Sequence, residues 1–356
     1  MRFMHMADVH LGAQPDKGSA WSRQRGQEIW DTFRLSLEDA AREKVDLLLI
    51  AGDLFHAPPT ESQLREVDYL FSKLTQTRVV LIAGNHDHLG EGCAYRSFPW
   101  NRNVVGLFST RCECVRFPEI KTEVYGLSYD ANEIPVPLYD DISPVEDPSR
   151  SGWFRILLAH GGDAMHIPIS KEKLDASGFD YIALGHIHKP MTVIRNKALF
   201  SGALEPIDCN DTGPHGYVLG EVKGRHLKLT FVKRALRSYR DITISCTGTD
   251  TTFSVQDALE RCIETKGPED IYKVTLTGVR EAGSAYDTER LKQCGRVLEV
   301  EDRTRPAFDL EDLKRRYHGQ LIGRFIESFE GEEMDLKHHK ALQYGLEALL
   351  ESRMNE

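Results

Sequence analysis

The sequence predicts an α/β protein whose sheets lie buried between helices, and three observations lead to it. Short continuous apolar runs of strand length recur, at residues 47–51 and 79–83 among others. The stretches between them carry apolar residues at helical spacing. Polar, glycine-bearing motifs follow directly on several of the runs, as expected where strands end at the rim of a sheet covered by helices.

Residues 2–7 read as the first strand. Residues 23–43 read as a helix, with Ile29, Trp30, Phe33 and Leu37 on one face. Residues 45–51 form a continuous apolar strand. A second helix over 61–75 places Leu64, Val67, Leu70, Phe71 and Leu74 together, and residues 79–83 form another buried strand. Further strands are expected at 156–159, 181–184, 198–201 and 226–232. The segment 134–152 has no periodicity and carries Pro135, Pro137, Pro144 and Pro148, so it reads as a surface loop.

Residues 1–235 thus form one unit, and 234–240 read as a linker. A small βαβαβ unit follows over 241–302: strand 241–246, helix 254–265, strand 271–279, helix 287–294 and strand 296–301. Residues 303–306 end it. The tail, 309–356, reads as helical. Leu310, Leu313, Tyr317, Leu321, Phe325 and Phe329 make one apolar stripe. Residues 330–335 break that helix, and a second carries Leu342, Leu346, Leu349 and Leu350.

A chain of 356 residues exceeds one ordinary core, which fits this division. No apolar run approaches the roughly 20 residues of a membrane span. Seven cysteines, an odd number without a C-x-x-C pair, fit a reducing, cytoplasmic setting. Cys112 and Cys114 read as strand alternation rather than a metal clip. The formal charge of −10 argues against a protein that coats nucleic acid. It does not exclude a nuclease, because acidic metal ligands inflate the count and bound ions reverse the local sign. A candidate ligand as early as Asp8 argues against a cleaved leader.

Five motifs carry the chemistry: Asp8-Val9-His10, Gly52-Asp53, Gly84-Asn85-His86-Asp87, His160-Gly161 and Gly185-His186-Ile187-His188. Each follows an expected strand, so all should converge on one rim. Carboxylates, an amide oxygen and imidazoles together suit two divalent transition ions. A carboxylate can bridge two such ions, which then activate water and clamp a phosphate in line. Glycines before Asp53, Asn85 and His186 are expected to let the backbone turn sharply. Lys189, Arg195 and Lys197 form a basic patch in the same region, suited to phosphate contacts or simply to solubility.

This order of motifs resembles the signature of the calcineurin-like metallophosphoesterases. Ala51-Gly52-Asp53-Leu54-Phe55-His56, Ala7-Asp8-Val9-His10-Leu11-Gly12 and Glu301-Asp302-Arg303-Thr304 resemble its DNA-repair exonuclease branch in particular. The resemblance implies a four-layer αββα sandwich with a small α/β capping domain and a helical C-terminal tail. It implies that Asp8, His10 and His188 hold one ion, that Asn85, His160 and His186 hold the other, and that Asp53 bridges them. Manganese is that family's usual ion, and the ligands also admit iron or zinc. His86 resembles the family's general acid and phosphate stabiliser. His56 resembles a second active-site histidine that positions His86 or substrate, and Asp87 is expected to orient the His86 ring.

The implied function is a two-metal phosphodiesterase, a DNA exonuclease or endonuclease acting in repair. Its implied partners are DNA and an SMC-like coiled-coil ATPase bound through the C-terminal helices. The resemblance also implies a homodimer through helices of the catalytic domain, for which the 61–75 helix is a candidate unless its apolar face is wholly internal, and the sequence itself gives no membrane contact. Two alternatives stand beside it: an esterase for a small phosphate such as a nucleotide, and a non-catalytic scaffold. His338 and His339 read as a solvated helix face, His88 equally as a loop residue or a substrate contact, and Trp21, Arg23 and Arg25 as an ordinary helix entry or, as the resemblance implies, a region that meets DNA.

Overall fold

The computed structural model describes residues 1–224, 226–329 and 336–354. The chain divides into two compact units, Met1–Tyr239 and Arg240–Glu356.

In the first unit the elements run β1 (Arg2–Met6), α1 (Ser22–Arg42), β2 (Leu47–Ala51), α2 (Glu61–Ser72), β3 (Arg78–Ile82), β4 (Val104–Gly106), β5 (Glu113–Phe117) and β6 (Thr122–Gly126). They continue β7 (Phe154–His160), α3 (Lys171–Ala176), β8 (Tyr181–Gly185), β9 (Met191–Ile194), β10 (Ala198–Phe200), β11 (Gly216–Lys223) and β12 (His226–Lys233). Two six-stranded sheets result, ordered β12-β11-β1-β2-β3-β4 and β5-β6-β7-β8-β10-β9. β1 to β4 are mutually parallel, as are β6, β7, β8 and β10, so their C-terminal ends point the same way within each sheet.

Alternating side chains sort the core into layers. Phe3, Leu47, Leu49, Val80 and Ile82 of the first sheet meet Val124, Ile156, Leu158, Tyr181 and Ala183 of the second. Met4, Met6, Leu48, Ile50 and Leu81 point outward onto α1 and α2, against Ile29, Phe33, Leu64, Val67 and Phe71. α2 starts cleanly because Thr60 and Gln63 form a reciprocal cap. Tyr125, Leu157, Ala159, Ile182 and Leu184 face the opposite side of the second sheet. This is the αββα order.

The fourth layer is mostly irregular chain, and the surface loop expected at 134–152 forms part of it. α3 has only six residues. The rest of the cover comes from 134–152, where Ile134, Leu138 and Ile142 pack on the sheet and Tyr139 is buried. The prolines prevent a regular element there without preventing burial. β5, β6 and β11 lacked an apolar run. β6 buries Glu123, whose carboxylate is met by Arg150 at 2.7 Å and Arg116 at 3.1 Å.

His5 lies wholly within the inter-sheet core, its Nδ1 2.8 Å from the Tyr181 hydroxyl and its Nε2 without a hydrogen bond. Burial lowers its pKa from 6.5 to about 3. Between those values the unfolded chain binds a proton that the folded chain refuses. The stability held above pH 6.5 is therefore lost as pH falls toward 3, by up to about 1.4 kcal/mol per pH unit. The paired change His5→Phe with Tyr181→Phe is expected to flatten this slope, read by urea unfolding at a series of pH values.

In the second unit, β13 (Tyr239–Cys246), α4 (Thr252–Lys266), β14 (Ile271–Glu281), α5 (Thr288–Leu291) and β15 (Val297–Asp302) follow the expected order. The strands lie β13-β14-β15 over a core of Ile242, Val255, Leu259, Tyr272, Leu276 and Val297. Residues 305–307, expected to lie past the end of this unit, instead form β16 (Arg305–Ala307), which pairs with the end of β14. The tail also differs from the single stripe expected. α6 (Leu310–Arg316) and α7 (Leu321–Glu327) are separate, because Gly319 takes a left-handed φ of +74° between them. Ile322 and Ile326 are buried with Leu342 and Leu346 of α8 (Leu336–Met354), so much of the apolar stripe covers the tail's own core. The expected break at 330–335 lies outside the described residues, as does the His339 side chain. Among the described residues no helix is long and apolar enough to cross a membrane.

Candidate metal centre

The five motifs do meet at one rim. The turns after β1 and β2 are laced together, the Asp8 N–H donating to the Gly52 carbonyl at 3.2 Å and the His10 N–H to the Asp53 carbonyl at 3.0 Å. The His186 N–H reaches both Asp8 carboxylate oxygens at 3.0 Å, joining the second sheet to the first. Asp8, His10, Asp53 and His186 all hold positive φ, between +51° and +98°. Such strain concentrated on non-glycine residues marks a site where surrounding structure overrides local preference.

The glycines act in two ways. Gly52 has a φ of +88°, as the expected sharp turn requires. Gly84 is not in that region. Its role is close approach, since a Cβ there would fall on the Asp53 carboxylate.

Seven donors form two groups. Asp8, His10 and His188 offer atoms within 4.8 Å of one another. The His10 and His188 Nε2 atoms face each other at 3.2 Å. In the second group, Asn85 Oδ1 lies 3.0 Å from His160 Nε2 and 3.1 Å from His186 Nδ1. Asp53 stands between the groups. Its Oδ1 accepts the His86 N–H at 2.9 Å, while Oδ2 faces His160 Nε2 at 3.4 Å and His10 Nε2 at 3.8 Å. Ligand atoms about 2.1 Å from a transition ion sit about 3.0–3.4 Å apart on adjacent corners of its coordination shell. Most of these separations fall in that range, so the donor set fits a pair of ions sharing the Asp53 Oδ2 atom.

The electrostatics agree with that use. Burial raises the Asp8 carboxyl to about 6, aided by the Asp53 charge and opposed by His160 and His188. Burial works against ionised Asp53, yet the imidazoles of His160 and His10 hold it well below the carboxylate range. Burial likewise opposes the His160 and His188 cations, but Asp53 and Asp211 respectively raise them to about 9. The carboxylates are thus balanced by protons on ligating nitrogens, and divalent ions would displace those protons.

Three of the four imidazoles are held from behind. His160 Nδ1 meets the Ala51 carbonyl at 2.8 Å, His186 Nε2 meets Asp163 at 2.8 Å, and His188 Nδ1 meets Asp211 at 2.9 Å. Asp163 and Asp211 escaped sequence reasoning; Asp163 sits three residues after His160, the one signal available. Asp211→Asn leaves His188 Nδ1 without its anionic partner. Metal affinity measured by calorimetry is expected to fall about 10- to 100-fold.

His56 and His86 sit at the open side. Their rings stack at 5.2 Å, and His86 meets the His10 ring edge-on at 4.8 Å. His56 is exposed and His86 half-buried. Asp87 does not orient His86. Its oxygens accept the Gly84 N–H at 2.7 Å, the Phe55 N–H at 3.1 Å and the Tyr95 hydroxyl at 2.6 Å, so it anchors the motif's backbone. His88 Nδ1 closes the same turn on the Asn85 carbonyl at 3.0 Å.

The basic patch separates. Lys189 is exposed on the rim beside His188. The Lys197 carbonyl accepts the Ile182 N–H. That is three residues, about 10 Å, back along β8 from Gly185. Lys197 Nζ pairs with Asp175, and Arg195 shares this far turn. Neither belongs to the rim, because β9 runs antiparallel and carries them away from it. Arg25 is buried in ion pairs with Glu28 at 2.7 Å and Glu205 at 3.3 Å. Trp21 donates to Asp16 at 2.9 Å. All seven cysteines are free thiols, and Cys112 and Cys114 join no metal-ligating group among the described residues.

Residues 1–190 match the family described as calcineurin-like phosphoesterase. The chain is 29% identical over 259 residues to metallophosphoesterase YhaO of Bacillus subtilis, across 65% of this chain and 60% of that protein. It is 27% identical over 250 residues to the DNA double-strand break repair protein Mre11 of Methanocaldococcus jannaschii, across 66% of each. The Mre11 of Methanopyrus kandleri aligns at 27% identity over 354 residues, 88% of this chain and 76% of that one. The first two alignments span less than two thirds of those relatives' own length.

Proposed function

The chain belongs to the calcineurin-like phosphoesterase family, and from that premise we propose that it is a two-metal phosphodiesterase acting on the DNA backbone. The observation that carries the reading is Asp53, one buried carboxylate oxygen facing donors of both groups. Asp8, His10 and His188 would hold one ion and Asn85, His160 and His186 the other.

Two divalent ions, when bound, supply positive charge to a phosphate and lower the pKa of water. The chain's residues do the rest. The His86 N–H fixes Asp53 Oδ1, leaving Oδ2 for the ions. Asp163 and Asp211 hold His186 and His188 in the tautomers that present Nδ1 and Nε2. The His86 ring, open to the rim, donates a proton or hydrogen bond to the phosphate and the leaving oxygen. His56, stacked on it, limits its orientations.

DNA as substrate is supported by the relatives named as DNA double-strand break repair proteins. Manganese is the proposed ion, with iron or zinc admitted by the same donors. We take 1–235 as the catalytic domain, 241–302 as a capping domain and 309–356 as a partner-binding segment in a cytoplasmic enzyme. The exposed Leu321 and Tyr344 of the tail offer apolar surface for an SMC-like ATPase. The net charge of −10 favours the second reading, hydrolysis of a small phosphate.

The deciding experiment is digestion of end-labelled single- and double-stranded DNA with Mn²⁺, beside bis-p-nitrophenyl phosphate. Cleavage of DNA supports the nuclease. Cleavage of the small diester alone supports the second reading.

A further inference from the structure

Behind the second group of donors lies another cluster of ligating side chains. Asp163, His166 and His186 offer donor atoms within 4.8 Å of one another. The Asp163 carboxylate lies 2.9 Å from His166 Nδ1 and 2.8 Å from His186 Nε2. Unlike the buried donors, Asp163 and His166 reach solvent, with 45% and 20% of their side chains exposed.

The cluster is fixed before anything binds. Asp163 Oδ1 accepts the backbone N–H groups of Met165 and His166, at 2.8 and 2.9 Å. The His166 carbonyl accepts the Gly162 N–H at 2.8 Å, and residues on either side of it bond to Ile134. Gly161 and Gly162, with φ near +130°, turn the chain back so that this loop closes over His186. A Cβ on Gly161 would fall on the His166 carbonyl.

We propose that Asp163, His166 and His186 form an outer cation site for a borderline-soft divalent ion such as Zn²⁺, and that filling it inhibits the enzyme. The inhibitory part rests on the reading that His186 holds the second catalytic ion. A neutral imidazole has one lone pair. His186 presents Nδ1 to the Asn85 side only while its proton sits on Nε2, facing Asp163. An ion against Asp163, His166 Nδ1 and His186 Nε2 takes the lone pair on Nε2. The ring proton then sits on Nδ1, toward Asn85 Oδ1 at 3.1 Å. One neutral ring cannot serve both positions, so while the imidazole keeps its proton the outer ion removes a donor from the inner one. Two histidines and one carboxylate favour Zn²⁺ over Mn²⁺, so the inhibitor and the activating ion differ.

The test uses the full chain. Calorimetry with Zn²⁺ counts ions bound, and Zn²⁺ is titrated into the Mn²⁺-supported hydrolysis of bis-p-nitrophenyl phosphate. Wild type is expected to bind one Zn²⁺ more per chain than His166→Gln. The variant, which keeps an amide facing Asp163, is expected to retain its Mn²⁺-supported rate within about two-fold and to need at least about ten-fold more Zn²⁺ for half inhibition. His166→Cys, which rebuilds a ligand, should restore both the extra ion and the inhibition. Equal Zn²⁺ counts and equal inhibition in wild type and His166→Gln overturn the proposal. If the chain hydrolyses neither substrate, the phosphodiesterase reading fails, and the calorimetric counts still decide whether the outer site exists.

Discussion

Asp53→Ala is expected to abolish hydrolysis of bis-p-nitrophenyl phosphate, with a loss of at least about 10³-fold at any Mn²⁺ concentration. The reason is position. Asp8 serves one donor group and Asn85 the other, but Asp53 Oδ2 faces both. Removing it leaves His160 without the anion that holds its charge and takes away the carboxylate that faces His10. Both ions lose a ligand and their common tether, so excess metal should not rescue the rate. Asp53→Asn keeps the Oδ1 contact to the His86 N–H, which separates loss of the bridge from collapse of the turn. It should fold with an unchanged circular dichroism spectrum and still be inactive. Recovery of the wild-type rate in either variant at saturating Mn²⁺ would remove Asp53 from the centre.

His86→Ala is expected to lower kcat about 10²- to 10⁴-fold while the protein still binds two Mn²⁺ ions. The His86 ring stands at the rim, and it is its backbone N–H that contacts Asp53. Alanine keeps that N–H, so the ion pair's scaffold survives and the ring's proton transfer is lost. Calorimetry and rate measurements on the same sample separate the two. A variant that binds metal normally and turns over at the wild-type rate would show that the ring has no chemical role.

The five motifs that meet at the rim were legible because their residue types are chemically distinctive and each follows a run of buried strand. β2 and β3 are covered on both faces, so their sequences are uninterrupted apolar runs. β5 and β6 were not legible, because Glu113, Arg116 and Glu123 interrupt them and an ion-pair cluster completes the burial. Asp163 and Asp211 look like any loop aspartate. Only the folded chain brings Asp211 across 23 residues to His188. Asp87 was misassigned because adjacency to His86 suggested contact, whereas consecutive side chains in a tight turn diverge. The basic patch was misassigned for the same reason, since β9 carries Arg195 and Lys197 to the other end of the sheet. In the tail, apolar spacing suggested one helix, yet a single left-handed glycine at 319 divided it.

The seven donors are not shared evenly along the chain's course. Asp8, His10, Asp53 and Asn85 follow strands of the first sheet, while His160, His186 and His188 follow strands of the second. Neither sheet alone can complete either ion's shell. With the proposed ions bound, the centre would act as a rivet through the sandwich, binding the docked sheets and not the separated ones. By mass action, a ligand at a hundred times its dissociation constant stabilises the state it binds by about 2.7 kcal/mol. Metal supply would then set how long the two sheets stay closed on each other, and a chain starved of ions would be exposed first to heat and proteolysis.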